Sequence, residues 1–136
     1  MSIISVDADS GDGLAVSVGD SPVFQLRSGK PRRVTLPHGV PGGKHHTPGS
    51  AGDAAQMAAH DAHVESRIRG ASGVVTDGRI FAKDGAPSCG LNLSHAFGDY
   101  LDKAASVPAL AQCIVPTPAV KQIQLPKRDH VWIASD

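Results

Sequence analysis

Val131-Trp132-Ile133-Ala134-Ser135-Asp136 closes the chain. Three large apolar residues pass into a small pair and then a carboxylate, the pattern of a buried strand that delivers a charged group to a site at its C-terminal end. A domain ending there would leave its most buried strand frayed, with an uncompensated Asp beside it. The expectation is therefore that residues 1–136 are a fragment of a larger domain.

The 136 residues carry 13 Lys plus Arg against 13 Asp plus Glu. With no net charge, no long-range field favours nucleic acid or an anionic membrane as partner, and neither is expected. Glu65 is the one glutamate, so the acidic groups are aspartates, which suit turns and hard-metal sites. No apolar run is long enough to span a bilayer, and Met1 to Asp7 lacks the basic flank and apolar core of a signal peptide. Two cysteines, Cys89 and Cys113, are too few for a disulfide framework. The expected location is intracellular, cytoplasmic or nuclear. Fifteen Gly and ten Pro with 4% aromatics describe a loop-rich chain with few large core side chains.

Ile3 to Val6 and Leu14 to Val18 are short apolar runs separated by Asp7-Ala8-Asp9-Ser10-Gly11-Asp12-Gly13, a hairpin pattern. A calcium loop is excluded there, because Gly11, Asp12 and Val18 stand where a ligand, the invariant Gly and the bidentate Glu are needed. Gly19-Asp20-Ser21-Pro22 interrupts the pattern, Val23 to Leu26 resumes it, and Arg27-Ser28-Gly29-Lys30 turns it back. Val34-Thr35-Leu36 reads as a further short strand. Residues 37–52 form an irregular Gly/Pro/His loop containing His45-His46. Its Gly39 to Lys44 is no phosphate loop, since His38 and His45 occupy the positions of the opening Gly and the Ser/Thr.

From Asp53 to Arg69 the residues favour helix, with Met57, Val64 and Ile68 on one face, Asp53 near the start and Gly70 just past the end. His60 and His63 lie at i and i+3, a metal-capable spacing that lacks a third ligand, and so read as two exposed histidines. Gly73-Val74-Val75, Arg79 to Ala82, Leu91-Asn92-Leu93 and Val120 to Leu125 are short strands punctuated by Asp77-Gly78 and Asp84-Gly85 turns. One helix among many short strands predicts an α+β fold with largely antiparallel sheets.

Four ordered stretches carry a resemblance. They are Val18-Gly19-Asp20-Ser21; Glu65-Ser66-Arg67-Ile68 with Gly73-Val74-Val75; Gly90-Leu91-Asn92-Leu93-Ser94-His95-Ala96-Phe97-Gly98-Asp99; and Val115-Pro116-Thr117-Pro118-Ala119-Val120 leading to Trp132-Ile133-Ala134-Ser135-Asp136. Together they resemble the metal-dependent protein phosphatases, the type 2C Ser/Thr family, from about Leu14 onward. The resemblance implies a partial type 2C phosphatase-like domain over 1–136, a sandwich of two antiparallel β-sheets flanked by helices. It also implies two Mn²⁺ or Mg²⁺ ions at one end of the sandwich, with Asp136 as a metal ligand and Asp20 beside the same site. The substrate implied is a Ser/Thr phosphoprotein, hydrolysed by metal-activated water, and no catalytic or substrate-binding side chain is assigned. Carboxylates and waters are the ligands these hard cations prefer.

Departures accompany the matches. The family's bridging Asp-Gly-His-Gly-Gly element, its phosphate-receiving Arg and its last metal Asp have no counterpart in the chain. Pro22 and His95 stand where the family has Arg, and Pro37-His38 or His45-His46 alone represents its Asp-His pair. The chain by itself is expected to be inactive. A pseudophosphatase acting as a binding or regulatory module is the alternative, and an unrelated α+β interaction domain the third reading. Asp99 and His95 are expected to shape a turn.

Overall fold

The computed structural model describes residues 1–43, 51–82, 90–97 and 113–134. Two compact units divide the chain, Met1–Pro37 with Pro118–Asp136, and His38–Thr117. The fold is α+β, with antiparallel sheets and, among the described residues, one long helix.

The first unit holds β1 (Ser2–Val6), β2 (Asp12–Ser17), β3 (Val23–Arg27), β4 (Lys30–Arg33), β7 (Ala119–Gln124) and β8 (His130–Ile133). They form two antiparallel sheets, ordered β1-β2-β7 and β4-β3-β8. Alternation sets the faces: in β2, Ala15 and Ser17 are buried while Leu14 is exposed, and in β3, Val23 and Gln25 are buried. Ala15 and Ile123 of one sheet meet Val23 of the other, with Ile4, Val6, Val34 and Val131 packed around them. Gln25 is the polar member of this interior, 6% exposed. Its Nε2 donates to Gln124 O at 2.8 Å and to Asp129 Oδ2 at 3.2 Å, so the amide is satisfied and ties β3 to the β7–β8 turn.

The hairpins fall where the turn residues put them. Asp7 Oδ1 accepts from Asp9 N at 3.0 Å and Ser10 N at 2.8 Å, so its carboxylate serves the β1–β2 turn. Ser28 and Gly29 both have positive φ, 52° and 76°, as a two-residue hairpin turn requires. That turn makes Lys30–Arg33 the strand opposite β3, with Arg33 facing Phe24, and not Val34-Thr35-Leu36. Beyond Arg33 the chain leaves the ladder: Val34 N donates to Val23 O at 2.7 Å, and the buried Thr35 Oγ1 accepts from Val23 N at 2.9 Å. The basic, Pro-containing run disguised the strand.

The second unit contains α1 (Ala51–Gly70) and the hairpin of β5 (Gly73–Thr76) and β6 (Arg79–Ala82). Helix and hairpin share a core of Val40, Val64, Ile68, Ala71, Ile80, Ala96, Cys113 and Ile114. The helix exceeds the expected span at both ends, which puts Asp53 within its first turn, where a carboxylate favours the positive end of the dipole. Gly70 belongs to the helix; the left-handed residue that ends it is Ser72, at φ 56°, with Ser72 N bonded to Arg69 O at 3.1 Å. Leu91-Asn92-Leu93 contributes isolated bridges, Leu91 to Ile80 and Leu93 to Gly39, in place of a strand. The expected loop is thus partly organised, with Val40 fully buried and α1 already begun at residue 51; residues 44–50, including His45-His46, lie outside the described residues.

Two glycines at equivalent turn positions give a differential test. Gly29 and Gly78 have φ of 76° and 70°, but an added Cβ at Gly29 meets nothing within 4 Å, whereas at Gly78 it would stand 2.5 Å from Gly43 Cα. Gly29→Ala should lose about 1–2 kcal/mol through its left-handed backbone alone. Gly78→Ala should lose measurably more, read from urea unfolding, and equal losses would rule out the close approach of Gly43 and Gly78.

Candidate functional site

Asp20 sits in the Gly19-Asp20-Ser21-Pro22 connection between β2 and β3, half-buried after Gly19 turns at φ 99°. The connection is held on two sides. Ser2 Oγ donates to Ser21 O at 2.5 Å, and Val18 N donates to Met1 O at 2.7 Å. On the other side, β8 runs antiparallel to β3 with Ile133 opposite Val23, and Ala134 N donates to Pro22 O at 3.2 Å. The end of the terminal strand therefore lies against the turn bearing Asp20. Asp136 itself is outside the described residues, as are Asp99 and Cys89.

A half-buried Asp at a turn suits a hard cation, but two ions need several oxygen ligands. Among the described residues no group of three or more His, Cys, Asp or Glu side chains is arranged to hold a metal. The described donors alone therefore do not fit a two-metal centre.

The second unit brings together a set of side chains that spacing alone did not reveal. His38, His60 and His95 form a stack: ring centroids lie 4.1 Å apart for His38 and His95, 5.8 Å for His38 and His60, and 5.7 Å for His60 and His95. His38 and His95 are only 4% and 8% exposed. Against them lies Arg67 of α1, whose Nη2 donates to Ser94 O at 2.8 Å and Cys113 O at 3.2 Å, with Nη1 3.5 Å from His95 Nε2.

The network fixes a tautomer. Ser94 Oγ donates its proton to His38 O at 3.1 Å, so its 2.9 Å bond with His95 Nδ1 uses the ring N–H. His95 Nε2 then presents a lone pair toward the guanidinium. Ring planes inclined by 29° to 31° turn faces, not nitrogens, toward one another, and Arg67 stands where a cation at Nε2 would be repelled. The stack is therefore no transition-metal site. His60 belongs to it and is half-buried, contrary to the expectation of two exposed histidines; His63 is exposed. His95, expected in a turn, pairs in a bridge with Val115.

Burial and neighbouring positive charge hold the His38 and His95 imidazoles neutral. Desolvation, then the charges of His60 and Arg67, push His38 down to about 4. Desolvation, His38 and Arg67 push His95 down to about 3. Arg67 is lowered by burial, and burial also raises the Cys113 thiol. The arrangement is a structural joint, with the neutral His38 and His95 against the Arg67 guanidinium, fastening the 38–40, 94–96 and 113–115 segments to α1. The sequence signal was available: positions 57, 60, 64, 67, 68 and 71 form one helical stripe, so His60 and Arg67 share a face with Met57, Val64 and Ile68.

No protein-family model matches the chain, and no curated protein sequence matches it. Among solved structures, a sex-determining protein of C. elegans is 19% identical with a TM-score of 0.59, covering 97% of this chain and 25% of that one. A phosphatase of Toxoplasma gondii is 15% identical with a TM-score of 0.55, covering 88% and 28%. The chain has the fold of part of a phosphatase and spans about a quarter of the length of the structures it matches.

The histidine stack predicts acid lability. An imidazole depressed in the folded state contributes its full stability above the ordinary value of 6.5, and loses it as pH falls toward about 4 for His38 and about 3 for His95, because unfolding takes up protons. The helical CD signal should melt at least about 5 °C lower at pH 4.5 than at pH 7. His38→Gln/His95→Gln should flatten this slope; an unchanged slope would place the acid sensitivity elsewhere.

Proposed function

We propose that the chain is part of a metal-dependent, type 2C-like Ser/Thr phosphatase domain, acting in the cell on Ser/Thr phosphoproteins once the remainder of the domain is present. The observation that carries this reading is the register of β8 on β3. Ile133 opposite Val23 and Ala134 N on Pro22 O bring the end of β8, as far as Ala134, beside the Gly19-Asp20-Ser21 turn. In the proposal Asp20 and Asp136 face one Mn²⁺ or Mg²⁺ ion, which supplies charge neutralisation and an acidified water. Asp20 is positioned for this by the Gly19 turn and by the bonds that Ser2 and Ala134 make to the backbone of Ser21 and Pro22. A bridged pair of ions needs a shared carboxylate and a phosphate clamp beyond these two residues, so turnover is assigned to the complete domain and not to residues 1–136.

His95 favours a second reading. Where the resemblance has an Arg, this chain has a neutral imidazole buried against Arg67 and Ser94, a structural role. That fits a pseudophosphatase used for binding.

Metal binding tests the proposal without relying on turnover. Saturating Mn²⁺ should stabilise the chain by roughly 1–3 kcal/mol through mass action. Asp20→Ala and Asp136→Ala should each remove the effect, and an undiminished shift in either variant would exclude that residue as a ligand. Residues 1–136 should not hydrolyse a phosphothreonine peptide, whereas the chain extended by the missing elements should. Extension that restored metal binding without hydrolysis would favour the pseudophosphatase.

A further inference from the structure

We infer that the open edge of β5, beside α1, is a docking groove for an extended, uncharged peptide segment of a partner protein. The inference does not rest on the phosphatase reading. Asp77 and Gly78, with φ of 51° and 70°, make the two-residue turn of the β5–β6 hairpin, so Thr76 and Arg79 form its first hydrogen-bonded pair. Val74 and Phe81 form the next. The main-chain groups of Gly73 and Val75 therefore point away from β6. Ile80, opposite Val75, shows the same alternation, because its N–H turns outward to Leu91 O at 2.8 Å. Strand β6 thus has a second neighbour. On the β5 side, among the described residues, no backbone hydrogen bond joins Gly73 or Val75 to another segment. A groove of about 330 Å³ opens there, lined by Gly73, Val74 and Val75 of β5 and by Glu65, Ile68 and Arg69 of α1.

The lining identifies the occupant. Outward N–H and C=O groups two residues apart are met in register by the main chain of an extended peptide. Gly73 and Val75 face α1: a Cβ on Gly73 would stand 2.9 Å from Ile68 Cγ2, and Val75 packs on the core that contains Ile68. A peptide residue bonded to either one sends its side chain toward α1, while its sequence neighbours flank Val74, which is exposed on the other face. Glu65 and Arg69 pair at 3.0 Å, so their charges offset each other at the rim and their stems offer hydrocarbon. An uncharged segment with apolar residues at alternate positions matches this surface. A second copy of the chain fits less well. Helix α1 packs on β5, so pairing two β5 strands about 4.8 Å apart would press together helices that need about 8–10 Å between axes. A lone strand brings no helix with it.

NMR on the isotope-labelled full chain tests this, with a capped peptide of alternating Val and Thr as probe. Amide shifts should move at Gly73 to Thr76 and Glu65 to Arg69, and the Val75 amide should exchange with solvent roughly tenfold more slowly at saturating peptide. Affinity should change less than about twofold between roughly 50 and 300 mM salt. N-methylated probes read the pairing directly. Methylating the Val amides, whose side chains face α1 and whose N–H groups face β5, should weaken binding roughly tenfold or more, whereas methylating the Thr amides should change it less than about threefold. Val75→Pro removes the outward N–H without touching the β6 ladder and should abolish the shifts, with the unfolding midpoint as control. If that variant unfolds, the two methylated probes decide. The proposal is overturned if the Val/Thr peptide moves no shifts, or if the two methylated probes bind equally. Protection of the Val75 amide without peptide would also overturn it: in favour of a second copy if the protection grows with protein concentration, and of a segment of this chain on the edge if it does not.

Discussion

The second unit depends on one half-buried cation. Arg67 reaches from α1 to the carbonyls of Ser94 and Cys113 and lies against His95, so a single guanidinium closes off two loop-borne acceptors far apart in sequence. These segments make isolated bridges and not strands, so they have little ladder bonding of their own. A planar fork with five donors suits such divergent carbonyls, and a lysine could not reproduce it. The histidines follow from the same fact: a desolvated cation tolerates aromatic neighbours only while they remain uncharged.

The first unit solves the opposite problem with a neutral group. Its sheets carry few large side chains, and Gln25 supplies within the interior the cross-tie that hydrocarbon alone would not. By anchoring the β7–β8 turn, its amide helps fix where β8 begins, and the β3 register fixes where β8 ends. The proposed site at Asp20 thus inherits its geometry from a hydrogen bond at the far end of the strand pair.

Much of the fold was legible because hairpin turns announce themselves: Ser28-Gly29 in the first unit and Asp77-Gly78 in the second both adopt the positive φ pair their composition requires. Strand β4 was not, because Lys30-Pro31-Arg32-Arg33 has no apolar alternation; an edge strand with one exposed face needs none. The Asp20 turn was located correctly, whereas Asp136 lies outside the described residues. The histidine stack escaped because its members come from three distant segments. Periodicity places His60 on the core face of α1 but says nothing of which residues arrive opposite it.

Burial of Cys113 has a redox consequence. Its thiol is fully covered and its ionisation is disfavoured, while oxidation and alkylation require an accessible thiolate. Acid that charges the histidines would open the surroundings of this sulfur, yet the same acid keeps it protonated. Exposure and ionisation of this thiol are thus driven in opposite directions by pH.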